Sequence, residues 1–130
     1  MTRSRWPFTL WTVLIVVAVV PWVGYQNHSH WQRVGWVPFV SPEVRGRDVV
    51  VNLLMYAPWG YFFARSMPDA ARRAWLVVLL SAGLSITTEA SQAYSHRRFP
   101  SATDVTCNVM GALMGARYAR RSSMNYDRQR

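Results

Sequence analysis

Four apolar runs separated by clusters of arginine constrain this chain more than any other feature. They are residues 8–25 (FTLWTVLIVVAVVPWVGY), 49–64 (VVVNLLMYAPWGYFFA), 74–94 (AWLVVLLSAGLSI, turning polar as TTEASQAY) and 105–119 (VTCNVMGALMGARYA). A helix rises 1.5 Å per residue, so a hydrocarbon core of roughly 30 Å takes about 20 residues. The second and fourth runs reach that length only by taking in polar residues at their starts. Such ends are tolerated where they face protein inside a bundle rather than lipid. The pattern predicts an all-α fold, a bundle of four transmembrane helices. A single domain is expected over residues 1–119, followed by a polar, basic, disordered tail at 120–130.

Charge supports a membrane setting. The formal net charge is +9, and all fifteen basic residues are arginine. A balance this basic often marks a nucleic-acid partner. Here the arginines pair up at the edges of apolar runs, as Arg3/Arg5, Arg45/Arg47, Arg72/Arg73, Arg97/Arg98 and Arg120/Arg121. That placement suits interface anchors and anionic lipid headgroups, so no nucleic-acid partner is expected. Trp6, Trp22, Trp31, Trp36 and Trp59 fit the aromatic belts of the same interfaces. With the N-terminus inside, ten arginines fall on the cytoplasmic side and five on the other, so both termini are expected in the cytoplasm. Arg3 and Arg5 before an apolar run also outline a signal peptide. Pro21-Trp22-Val23 stand where a small-x-small cleavage site would be, which favours an uncleaved first span. Cys107 is the lone cysteine, so no intrachain disulfide or cysteine metal site can form, and it reads as a small packing residue. His28, His30 and His96 are scattered in outer loops and read as solvated. Neither a metal nor a cofactor is expected.

A short internal repeat organises the polar residues. Asp48-Val-Val-Val-Asn52 and Asp104-Val-Thr-Cys-Asn108 both follow a basic pair and both open an even-numbered span. Positions i and i+4 share a helix face, so each segment presents a carboxylate with an amide one turn below. The chain therefore reads as two related helical hairpins. Span three offers the stripe Ser81, Ser85, Thr88, Gln92, and span four the stripe Asp104, Asn108, Gly111, Gly115, whose glycines permit close approach of another helix. Pro58 and Gly60 are expected to kink span two.

The N-in topology brings Asp48, Asn52, Glu89, Gln92, Asp104 and Asn108 to one extracytoplasmic layer beside Arg97 and Arg98. Glu89 lies within a span, where an ionisable group is costly unless paired, protonated or functional. Two accounts of these residues stand. Asp48 and Asp104 suit the positive ends of helix dipoles, Ser101-x-x-Asp104 has the form of a capping box, and the amides suit interhelical bonding. Alternatively Glu89, Asp104 and Asp48 serve as acid/base groups, while Asn52, Gln92, Arg97, Arg98 and Asn108 bind a ligand.

The ordered set Asp48, Asn52, Pro58, Gly60, Glu89-x-x-Gln92, Arg98 and Asp104-x-x-x-Asn108-x-x-Gly111-x-x-x-Gly115 resembles the VanZ-like family of small bacterial membrane proteins. The resemblance covers roughly residues 45–119. In the family pattern a further acidic residue stands between the Arg and the Asp; this chain reads Phe99-Pro100-Ser101-Ala102-Thr103 there. The family is named for a protein linked to low-level teicoplanin resistance. The resemblance therefore implies a cell-envelope role in the bacterial inner membrane; the outer-face cluster beside Arg97 and Arg98 is what points to binding or modification of an envelope component such as a headgroup, lipid-linked precursor or glycopeptide-related target. A structural module whose polar residues serve packing and partner binding, and a membrane-embedded acid/base enzyme, are the alternatives. Small-molecule export fits less well, since four short spans would have to oligomerise to form a path.

Overall fold

The computed structural model of the chain describes residues 4–22, 25–40, 45–95 and 99–128, with side chains as far as residue 125. Its described residues form five α-helices: α1 Trp6–Val19, α2 Gly46–Ser66, the single turn α3 Pro68–Ala71, α4 Ala74–Gln92 and α5 Ala102–Arg128. A 3-10 turn at Trp31–Arg33 interrupts the long α1–α2 connection, and the described residues contain no strand, only two isolated bridges.

The ends of two helices differ from the sequence expectation. α1 stops at Val19 instead of running to residue 25, because Val20 precedes Pro21 and is held extended at ψ 131°. α5 continues through the expected tail to Arg128. No glycine or proline interrupts that segment. The Ser122 and Ser123 hydroxyls donate back to the Tyr118 and Ala119 carbonyls. Arg120 donates to the Ala71 carbonyl at 3.3 Å and Arg65 reaches Ser123 at 3.5 Å, which ties the extension to α2 and α3.

Two antiparallel hairpins, α1–α2 and α4–α5, are joined through a parallel α2–α5 pair. The α1–α2 seam is aromatic: Phe8 packs on Trp59 and Phe63, with ring centroids 5.3 and 5.6 Å apart. Two indoles are anchored across the same seam, Trp11 to the Met55 carbonyl at 2.8 Å and Trp59 to the Thr12 hydroxyl at 3.0 Å. Trp59 is thus a buried seam residue, not an interfacial one.

Backbone contact defines the α2–α5 seam. A side chain at Gly115 would collide with the Ala57 carbonyl, one at Gly111 with that of Leu53, and one at Gly60 with the backbone of Ala112. The interlock is two-way, since each helix contributes glycine and each contributes carbonyl. At this separation Cα–H groups meet carbonyl oxygens, and each such contact adds about 0.5–1 kcal/mol. α2 runs continuously through Pro58.

Among the described residues only α4 is both long and apolar enough to cross a membrane; α1 is apolar but has 14 residues. α2 and α5 are long, but they carry Asp48, Asn52, Asp104 and Asn108. α4 itself is turned inside out relative to a water-soluble helix. It buries Ser81, Ser85, Thr88, Glu89 and Gln92 and exposes Trp75, Leu79, Leu80 and Ile86.

A buried polar layer as candidate functional site

The polar layer lies at the end of the bundle opposite the chain termini, where α4 leads into α5. Three bonds between its segments define it among the described residues. Asn52 on α2 donates through Nδ2 to Oδ1 of Asp104 on α5 at 2.6 Å. Asn108, one turn further along α5, donates through Nδ2 to the Ser85 hydroxyl on α4 at 2.8 Å. Glu89, one turn along α4 from Ser85, accepts the backbone N–H of Ser101 at 2.9 Å through Oε2.

Ser101 explains how the start of α5 is held. Its hydroxyl accepts the N–H of Thr103 at 3.1 Å, as an N-cap residue does. In a capping box the acidic residue three positions on would take the cap's own N–H. Here Glu89 takes that N–H from a different helix, and Asp104 is turned toward Asn52. The Ser101-x-x-Asp104 sequence therefore caps through its serine only.

A roof covers the layer. Gln26 and His30 donate backbone N–H groups to the Tyr94 and Ala93 carbonyls at 2.9 and 2.8 Å. Gly35 receives the Ala102 N–H and gives its own to Pro100, and the Phe39 N–H bonds the Thr103 hydroxyl at 2.9 Å. Phe39 sits at φ 62°, in the left-handed region, where this contact holds it. Tyr25 stacks on Tyr94 with centroids 5.4 Å apart, and the Arg33 guanidinium lies 5.8 Å from the Phe99 ring centre. Under this cover Glu89 keeps 7% of its surface exposed, Gln92 4% and Asn108 3%.

Of the residues singled out from sequence, Asn52, Glu89, Asp104 and Asn108 take part in this layer, and Gln92 is buried at the end of α4. Asp48 does not join them. It is half-exposed at the start of α2 and pairs with neighbouring Arg47 at 3.6 Å. Arg97, Arg98 and His96 lie outside the described residues. His28 and His30 form an edge-on pair with centroids 4.8 Å apart in the roof. Cys107 is buried and free. Among the described residues no three His, Cys, Asp or Glu side chains come together as a metal-binding set.

Sequence reasoning missed Tyr56, which is fully buried on α2 and faces Ser85 and Thr88. It also missed Ser101 and the roof. An i, i+4 signal for Tyr56 exists, since it stands one turn after Asn52 on the same face.

The sequence model of the VanZ/LLP1 family matches residues 6–121. The chain belongs to that family. The match takes in α1, α2, the roof and α4, and α5 as far as Arg121, so the family unit includes α1 as well as the motif-bearing segments. No curated protein and no solved structure matches the chain. In this VanZ/LLP1 protein Asn52, Glu89, Asp104 and Asn108 of the motif come together in one layer, Gly60, Gly111 and Gly115 lie in the α2–α5 seam, and Asp48 stays outside both. Membership supports an envelope-related protein.

Proposed function

We propose that this VanZ/LLP1 protein is a multi-pass membrane protein of the bacterial inner membrane whose polar layer binds or modifies an envelope component. α4 carries the membrane reading: polar face inward, apolar face outward, in one helix. Lipid is the solvent that makes such a helix stable, because it leaves leucine exposed at no cost and penalises an exposed glutamate. The exposed Leu10, Val13, Leu14 and Val17 of α1 and the exposed Leu54, Met110 and Met114 of α2 and α5 extend the apolar exterior around the bundle. In this reading α2, α4 and α5 span and 14-residue α1 crosses together with the apolar residues that follow it, with both termini cytoplasmic and the layer on the outer side.

Glu89 carries the binding reading. It is a carboxylate buried to 7% exposure in the interior of such a bundle. Headgroups and lipid-linked precursors combine hydroxyl, amine and phosphate groups, which suit carboxylate and amide partners and the arginine pair Arg97/Arg98 that follows α4 in the sequence. A reporter fused after Arg130 should read cytoplasm. Lipid and precursor profiling of a deletion strain, complemented with wild type or Glu89→Gln, should show a component that accumulates and returns to normal with wild type only.

A second reading rests on a specific observation as well. Asp104 and Glu89 already hold Asn52 and the start of α5, which is what purely structural polar locks would do. Under it Glu89→Gln would complement fully.

A further inference from the structure

Most hydroxyls in the interior are spent on the backbone. Ser81 donates to the Val77 carbonyl, Thr88 to that of Ser85 and Ser91 to that of Thr88. Two buried polar atoms stand apart from this pattern. The Tyr56 hydroxyl, on a residue with no exposed surface, lies beside the Ser85 and Thr88 side chains but meets neither at good hydrogen-bonding geometry; nor has Oδ1 of Asn108, on a residue 3% exposed, a partner. Leaving either unsatisfied costs about 1–3 kcal/mol, and both belong to a layer whose other members are bonded.

They are not scattered. Tyr56 faces Ser85 from α2, and Asn108 bonds Ser85 from α5, so both are gathered around one serine of α4. Ser85 lies one turn from Glu89 along the same helix. One atom is a donor and the other an acceptor.

We propose that Tyr56, Ser85 and Asn108 form a subsite for a hydroxyl group, one helical turn beneath Glu89. The group accepts from the Tyr56 O–H and donates to Asn108 Oδ1, with Ser85 as third neighbour. An ammonium could donate to both oxygens but would leave the Tyr56 proton without an acceptor, and a carboxylate or fully ionised phosphate has no proton for Asn108; a hydroxyl serves both. Three polar partners are also what holds a buried water. The hydroxyl therefore belongs either to water or to the alcohol of a ligand that reaches past Glu89. The subsite extends the pocket reading, yet it stands or falls separately, because its test reads occupancy and stability rather than envelope phenotype.

The test uses the full chain in lipid nanodiscs, with a structure at a resolution that shows ordered water. Density should lie within hydrogen-bonding distance of both Tyr56 Oη and Asn108 Oδ1. Isolated density that persists after delipidation identifies water; density continuous with a molecule seen in native mass spectra identifies a ligand alcohol. Tyr56→Phe, which removes only the donor, should lower the thermal midpoint by a few degrees. Its effect should vanish in the Asn108→Ala background. Absent density, density bonded only to donors as an anion's oxygen would be, or a midpoint raised by Tyr56→Phe would each overturn the proposal.

Discussion

The side-chain amide of Asn52 donates to Oδ1 of Asp104 across 2.6 Å, joining the amide of one Asp-x-x-x-Asn segment to the carboxylate of the other. The reverse link is not made: Asn108 turns to Ser85, and Asp48 to Arg47. The two repeats are thus used unequally, one acid inside and one at the surface. Asn52→Leu should destabilise the bundle by about 0.5–1.5 kcal/mol, the net contribution of a typical hydrogen bond, here a part-buried one. Asp48→Asn should change stability by less than about 0.5 kcal/mol, as at an exposed pair. Unfolding titrations in mixed micelles measure both.

The glycine seam gives a steric prediction. Gly115→Leu forces α5 away from the Ala57 carbonyl and should cost at least about 1–3 kcal/mol, the usual penalty for overfilling a packed interface. Gly83 is exposed on α4, and nothing lies within 4 Å of where its side chain would begin. Gly83→Ala should therefore stabilise the helix by about 0.5–1 kcal/mol. The same unfolding assay should move in opposite directions for the two variants.

Much of this was legible in periodicity. The stripes Ser81, Ser85, Thr88, Gln92 and Asp104, Asn108, Gly111, Gly115 depend only on 3.6 residues per turn, and both turn inward. Asp48 shares the Asn52 face but sits one turn nearer the helix start, where α2 has emerged from its neighbours; spacing alone cannot show where cover ends. The roof left no sequence signal because it is held by backbone groups of an irregular segment, such as His30 to Ala93 and Gly35 to Pro100. The helical course of residues 120–128 is supported by contacts with Ala71 and Arg65 that composition does not encode. Tyr56 was hidden among apolar neighbours as one more aromatic.

Two tryptophans separate a lipid-exposed exterior from an aqueous one. Trp75 on α4 is 58% exposed, while Trp59 is 2% exposed in the α1–α2 seam. In single-tryptophan variants reconstituted with brominated lipids, Trp75 emission should be quenched strongly and Trp59 emission weakly. Equal quenching would contradict the burial of the seam, and quenching of Trp75 by aqueous iodide alone would place α4 outside the bilayer.

Glu89 tests the central claim most directly. Glu89→Gln retains an oxygen that can accept the Ser101 N–H, so the start of α5 can still be held while the carboxylate charge is lost. Expression, membrane insertion and thermal midpoint should stay near wild type. Complementation of the deletion strain, read as the restored level of the affected lipid or precursor, should fall at least about tenfold, a loss equivalent to roughly 1.4 kcal/mol of binding or transition-state energy. Full complementation by a folded, inserted Glu89→Gln would contradict a working role for the polar layer and leave it a structural lock.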